Sequence, residues 1–276
     1  MLPAILLALF LIVSGGLLHG ARLRIRPETL LVDGLSDDAD GYRIVFLSDL
    51  HDRRFAPRLL KAVCAAKPDV ILLGGDMYGG RRSPDDFYAL LSALTDIAPV
   101  LFVEGNHDLH PGRRATEQEH TAHLAEMVRR GAVNLDGGVW YDSRGIEFRG
   151  VGWFSPRVLP TFSGDFPGVL LCHDPALFDL PGDPPALTLA GHVHGGFIKL
   201  PFIGPLFCPG NGAPIWRRFF PPYLFPKYSE GFYSRQAASL YVGRGLGFSV
   251  LPFRFIPAEI PVITLKKREK TKKFIK

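Results

Sequence analysis

Three short apolar runs, at residues 43–47, 70–73 and 100–103, each stop on a polar cluster: Ser48-Asp49-Leu50-His51, Gly74-Gly75-Asp76 and Glu104-Gly105-Asn106-His107-Asp108. Apolar runs of this length, rich in β-branched residues, are the pattern of strands covered on both faces. Between them Leu59, Leu60, Val63 and Cys64 recur at helical spacing before Lys67-Pro68, and 84–97 forms a second helical pattern opened by Ser83. The β-α-β-α-β order predicts parallel strands with right-handed crossovers. The polar clusters then fall at the carboxyl ends of neighbouring strands, where open α/β sheets place their ligands.

A further helix is predicted over 117–130, after which the pattern changes to short strands with tight turns. Candidates are 139–141, 146–151, 169–172, 186–189, 240–242 and 262–265. The second half therefore supplies a second sheet, and two sheets packed face to face with helices outside are expected. A chain of 276 residues, 47% hydrophobic, can bury a full core. One globular domain over 43–265 accounts for it, preceded by a segment at 1–20, a polar linker at 21–42 and followed by a tail at 266–276.

Taken singly, the polar clusters are weak signals. Asp49 and His51 make an Asp-x-His pair at a strand end, and Gly75-Asp76 says less. Gly105-Asn106-His107-Asp108 is more specific, because glycine permits a sharp turn from which three polar side chains project. Gly191-His192-Val193-His194-Gly195-Gly196 is the strongest, with two imidazoles on a glycine-flanked loop. Jointly with His173 they offer carboxylates, an amide and imidazoles at strand ends, a mixed oxygen and nitrogen set suited to Mn, Fe, Zn or Co. Two ions at the roughly 3.5–4 Å separation of two-metal sites require a shared carboxylate.

These blocks resemble the signature of the calcineurin-like metallophosphoesterase family. Gly195-Gly196, the stretch 200–205 and Val242-Gly243-Arg244-Gly245-Leu246-Gly247 further resemble its membrane-associated bacterial branch. The resemblance implies an α/β fold, a four-layer α/β/β/α sandwich of two mixed sheets. It implies two divalent metal ions: Mn first, with Fe, Zn, Mg or Co as alternatives. Asp49, His51 and His194 would hold one, Asn106, His173 and His192 the other, with Asp76 bridging and a hydroxide between them as nucleophile. His107 would act at the leaving group or the developing oxyanion, oriented by Asp108. Arg81, Arg82, Arg113 and Arg114 follow the site motifs closely enough to meet a substrate phosphate, a solvated loop being the alternative. His120 and His123, three apart on a predicted helix, lack partners for a further metal site and read as solvated.

The ends of the chain bear on location. Residues 2–18 carry no charge and are mostly aliphatic, and Arg22, Arg24 and Arg26 follow at once. The predicted element is an N-terminal hydrophobic helix anchoring the protein in the inner membrane with its catalytic domain in the cytoplasm; a cleaved signal with an exported enzyme is the alternative. The formal charge of +5 lies in the tail, since 266–276 holds seven basic residues and one acidic, leaving −1 for the rest. No nucleic-acid partner is therefore expected, and a nuclease is disfavoured. Cys64, Cys172 and Cys208 show neither a disulfide framework nor metal-ligand spacing, which favours a reducing compartment. The proline-broken apolar stretch 219–226 is either a core flap or an exposed surface for lipid or acyl chains.

The function expected is hydrolysis of a phosphodiester or pyrophosphate at the membrane. UDP-2,3-diacylglucosamine, in lipid A synthesis, is a specific candidate raised by the resemblance. A general phosphodiesterase for soluble nucleotides is the runner-up, and a non-catalytic scaffold with the same fold is the rival of a different class. Metal identity, monoester or diester preference and oligomeric state stay open.

Overall fold

The computed structural model describes residues 7, 10, 14, 22–51, 56–79, 83–108, 115–196, 198–200, 204–207, 227–247 and 257–269. Two six-stranded mixed sheets form its frame. The first runs in the order β1 (Leu23–Val32), β14 (Ala258–Lys267), β2 (Arg43–Leu47), β3 (Val70–Gly74), β4 (Val100–Val103), β5 (Ala132–Asn134). The second runs β12 (Gly231–Arg235), β13 (Ala238–Val242), β9 (Leu187–Ala190), β8 (Gly168–Cys172), β7 (Ile146–Val151), β6 (Val139–Asp142). Strands β10 (Ile198–Leu200) and β11 (Gly204–Phe207) pair separately as a small hairpin.

The period-two alternation of each apolar run divides it between two cores. Ile44, Phe46, Val70, Leu72, Leu101 and Val103 point toward the second sheet and meet Phe148, Val169, Leu171, Leu187 and Leu189. Val45, Leu47, Ile71, Leu73, Val100 and Phe102 point the other way, onto the helices. This is why the three runs are apolar at nearly every position.

The helix Ala56–Ala66 packs Leu59 and Val63 on that outer face. It stops where Lys67 turns to φ 50° ahead of Pro68, which cannot continue a helix. Phe87, Leu90, Leu91 and Leu94 are the buried stripe of the helix Asp85–Thr95. The helix Glu117–Arg129 begins at a capping box, Thr116 with Glu119. Beyond the second sheet, Leu170, Cys172, Ala190 and Val242 pack against Leu177 and Phe178 of a short 3-10 turn, Pro175–Asp179. Among the described residues the outer face of the second sheet carries that turn and no α-helix, where the four-layer expectation placed a helical layer.

Parallel pairing of β2, β3 and β4 in one sheet, and of β7, β8, β9 and β13 in the other, brings the carboxyl ends of each set to one end of its sheet. The polar clusters follow these ends.

Three expectations about the chain's ends are corrected. Residues 21–42 are not a free linker: β1 pairs parallel with β14 along ten residues. Its charges sit among apolar residues because it is an edge strand with solvent beside it. The tail likewise begins inside β14, where Lys266 and Lys267 pair with Asp40 and Asp37, and Arg268 with Asp33. The inner-membrane location, and with it the N-terminal membrane helix, is also corrected. No helix among the described residues is long and apolar enough to cross a membrane, which takes roughly 20 apolar residues. Of residues 1–20 only Leu7, Phe10 and Ser14 are described, all helical; the rest of the proposed anchor lies outside the described residues. So does the stretch 219–226.

Candidate metal centre

Five of the expected ligands occupy a backbone conformation that side-chain-bearing residues rarely adopt. Asp49, His51, Asp76, His192 and His194 have φ of 54°, 49°, 54°, 72° and 53°. Left-handed backbone of this kind costs energy at each residue and persists only where the surroundings impose it, commonly at functional sites. Here the surroundings are backbone hydrogen bonds between the strand ends. Asp49 donates its amide to the Gly75 carbonyl, His51 donates to that of Asp76, and Gly191 to that of His173. Gly75 is required between them: at φ 85°, a Cβ there would lie 2.6 Å from both the Gly105 amide nitrogen and His173 Nδ1.

The side chains so turned converge. His51 Nε2 and His194 Nε2 approach to 3.2 Å, and His194 Nε2 lies 3.3 Å from Asp49 Oδ1. Asp76 Oδ2 stands 3.6 Å from His51 Nε2 and 3.4 Å from His173 Nε2. His173 Nε2 is 3.0 Å from Asn106 Oδ1. The His51 and His107 rings meet edge-on at 5.1 Å, and the His107 amide donates to Asp76 Oδ1 at 2.6 Å. The His192 ring lies 5.0 Å from that of His173, so the seven residues expected as ligands gather at one place, with His107 beside them. Arg81, Arg82, Arg113 and Arg114 lie outside the described residues.

Asp49, Asp76 and His173 are essentially inaccessible to solvent, at 0%, 1% and 0% exposure. Burial pushes the Asp49 carboxyl up to about 6, with the Asp76 charge adding to it. Burial acts the same way on Asp76, but His173, His51 and His107 outweigh it and hold that carboxyl far below its usual range. Burial opposes charge on His173, yet Asp76 and Asp49 push it up to about 10. Burial and the neighbouring His173 push His192 down to about 3. The buried carboxylates of Asp49 and Asp76 beside His173 mark a place where the charge of a cation would serve.

The donor set fits divalent cations. Asp49, His51 and His194 have ligand atoms within 4.8 Å of one another, and so do Asp49, Asp76 and His173. His173 donates Nδ1–H to the Gly74 carbonyl at 2.7 Å, which fixes the ring and directs Nε2 inward. His192 Nε2 is buried without a hydrogen-bond partner. An orphaned buried imidazole nitrogen beside His173 is costly in a bare protein and natural in a metal ligand.

Three residues depart from the sequence reading. Asp108, expected to orient His107, instead commits both oxygens to backbone amides: those of Asp76 and Gly105 to Oδ2 and that of Tyr78 to Oδ1. It ties the ends of β3 and β4 together, and burial pushes it up to about 7 with the Asp76 charge adding to it and the amides opposing. His120 is not merely solvated; its Nε2 lies 2.8 Å from Glu104 Oε1. His123 is buried among Tyr78, Phe87 and Tyr88. Sequence reasoning also passed over Trp153, whose ring centroid is 4.7 Å from that of His192. The available signal was its place two residues beyond the carboxyl end of β7.

Two mixed sheets whose parallel strand ends jointly bury carboxylates and imidazoles define a metallohydrolase of the α/β class. The chain belongs to the calcineurin-like phosphoesterase family: the family described as "Calcineurin-like phosphoesterase" matches residues 42–196. It is 32% identical over 244 residues to the uncharacterized metallophosphoesterase YkuE of Bacillus subtilis, covering 82% of this chain and 80% of that one. It is 32% identical over 188 residues to the phosphodiesterase YaeI of Escherichia coli, covering 63% and 68%. The solved structure of TT1561 of Thermus thermophilus aligns at 14% identity and a TM-score of 0.44, over 75% of this chain and 90% of that one. The chain is accordingly a hydrolase of phosphoesters.

Proposed function

We propose that the chain hydrolyses phosphodiester bonds of a small phosphorylated substrate with two divalent cations, manganese first among them. Asp49, His51 and His194 would hold one, Asn106, His173 and His192 the other. The observation that carries this reading is the pair of overlapping ligand groups, Asp49 with His51 and His194, and Asp49 with Asp76 and His173. Asp49 is common to both groups, whereas Asp76 alone touches an imidazole of each half. That position fits Asp76 to the shared role. Bound divalent cations lower the pKa of water and neutralise phosphoryl oxygens.

The chain's own residues supply orientation and a proton. The Asp76 carboxylate accepts the His107 amide, which fixes residue 107 beside the carboxylates. From there the His107 imidazole would give a proton to a departing alkoxide. Asp108, by tying Gly105 to Asp76, holds the two strand ends that carry these groups. Preference for a diester is supported by the likeness to YaeI, a phosphodiesterase. The lipid-nucleotide candidate drew on residues 1–20 and 219–226, almost wholly outside the described residues, and no described feature of the site favours it.

The test is hydrolysis of bis(p-nitrophenyl) phosphate with added Mn(II), with bound metal measured in parallel. Asp76→Ala is expected to lose both metal and activity. His107→Ala is expected to keep its metal and lose roughly 10²–10⁴-fold in kcat, the usual contribution of a general acid. Variants both matching wild type would overturn the assignment.

A further inference from the structure

His173 and His192 sit side by side, with ring centroids 5.0 Å apart, but they are held differently. The ring of His173 is anchored by its Nδ1–H on the Gly74 carbonyl. That of His192 shows no such anchor among the described residues: its Nε2 is buried without a hydrogen-bond partner, and its backbone amide donates to the Asp49 carboxylate at 3.1 Å. Metal-ligating histidines ordinarily have the second ring nitrogen bonded, which sets the ring's orientation. His192 therefore needs another source of orientation.

The group in place to supply it is Trp153. Its indole lies over His192 at 4.7 Å, tilted by 40°, and meets His173 edge-on at 5.8 Å. The loop that carries it is clamped at several points. Trp153 donates its amide to the Glu104 carbonyl at 2.9 Å, Gly152 donates to Asp136 Oδ1 at 2.8 Å, and Ser155 Oγ donates to the same carboxylate at 2.6 Å. Asp136 presses so closely that a Cβ on Gly152 would come within 2.6 Å of its Oδ2. Through Glu104 the clamp reaches the strand end that carries Asn106. A large, flat aromatic face on a clamped loop thus backs an imidazole whose Nε2 has no hydrogen-bond partner among the described residues.

We infer that Trp153 is a positioning residue: its indole fixes the His192 imidazole for metal binding, in the place that a carbonyl takes for His173. This rests on the reading of His192 as a ligand, and the experiment separates the two. Full-length metal-free protein is titrated with Mn(II), free Mn(II) being followed by electron paramagnetic resonance. His192→Ala should weaken one class of sites and leave the other. Trp153→Ala should weaken that same class by about 10–100-fold, as loss of outer-shell support does, with Trp153→Phe restoring most of the affinity. If His192→Ala binds Mn(II) as wild type does, the ligand reading fails. If His192→Ala is weakened but Trp153→Ala is not, Trp153 does not position it. Should Trp153→Ala fail to fold, as judged by circular dichroism, affinities across Trp153, Trp153→Phe and Trp153→Leu decide. A graded loss supports the role, and equal affinities overturn it.

Discussion

The backbone at the candidate metal centre adopts left-handed conformations at five residues, each of which carries an energetic cost. His51 sits at φ 49°, where a Cβ clashes with the following carbonyl at about 1–2 kcal/mol. Glycine has no such penalty. In metal-free protein, His51→Gly should be more stable than His51→Ala by about 1 kcal/mol, although both lose the imidazole. Urea unfolding of the two variants checks this; equal midpoints would mean that the left-handed turn is unstrained. That these residues gather at one place was legible in the sequence, because Asp-x-His, Gly-Asp and His-x-His each follow an apolar strand pattern. Their strain was not, since nothing in the local residues of Ser48-Asp49-Leu50-His51 forces positive φ; the amide-to-carbonyl bonds with the β3 end do. Asp108 shows the same limit. An acidic residue after a catalytic histidine reads as its orienter, and only the fold reveals three backbone amides converging on it.

At the scale of the element, legibility followed burial. β2 and β4 were readable to the residue because both faces of the first sheet's centre are covered, so their runs are uninterrupted. β1 was read as linker because an edge strand mixes Arg24, Arg26 and Glu28 with Leu23 and Ile25 and includes Pro27. The helix Glu117–Arg129 was legible as an element, yet His123 was misjudged, because its partners Tyr78, Phe87 and Tyr88 come from another part of the chain. That burial has a consequence for pH. Burial, with His120 adding to it, pushes the His123 imidazole down to about 4, and Tyr88 Oη lies 2.8 Å from its Nδ1. Unfolded, the side chain titrates near 6.5. As pH falls from about 6.5 toward 4, the unfolded chain takes up a proton that the folded one refuses, so stability is lost, by at most about 1.4 kcal/mol per pH unit. His123→Phe keeps an aromatic ring in the cluster and removes the titration. Urea unfolding between pH 4.5 and 6.5 should fall more steeply for wild type than for this variant; parallel slopes would show that His123 protonates freely in the folded state.

Two six-stranded sheets frame the described residues, and the candidate metal centre is built across their junction. Asp49, His51, Asp76 and Asn106 follow strands of the first sheet, whereas His173, His192 and His194 follow strands of the second. Without metal, the groups spanning that junction include the Asp76–His173 pair at 3.4 Å and the His192 amide on Asp49. A cation that engages ligands from both sheets binds only when the sheets are packed, so its binding energy becomes folding energy for the entire domain. Saturation with Mn(II) at about 100 times its dissociation constant should therefore stabilise the fold by about 2.7 kcal/mol, and a chelator should reverse the gain. Asp49→Asn, which keeps the shape and removes the charge of a fully buried candidate ligand, should lose most of this increment while unfolding as one unit. Thermal denaturation with Mn(II), with chelator and with Asp49→Asn checks it. If Mn(II) raises Tm equally in wild type and Asp49→Asn, the ion binds elsewhere, and the two sheets are held together by their apolar interface alone.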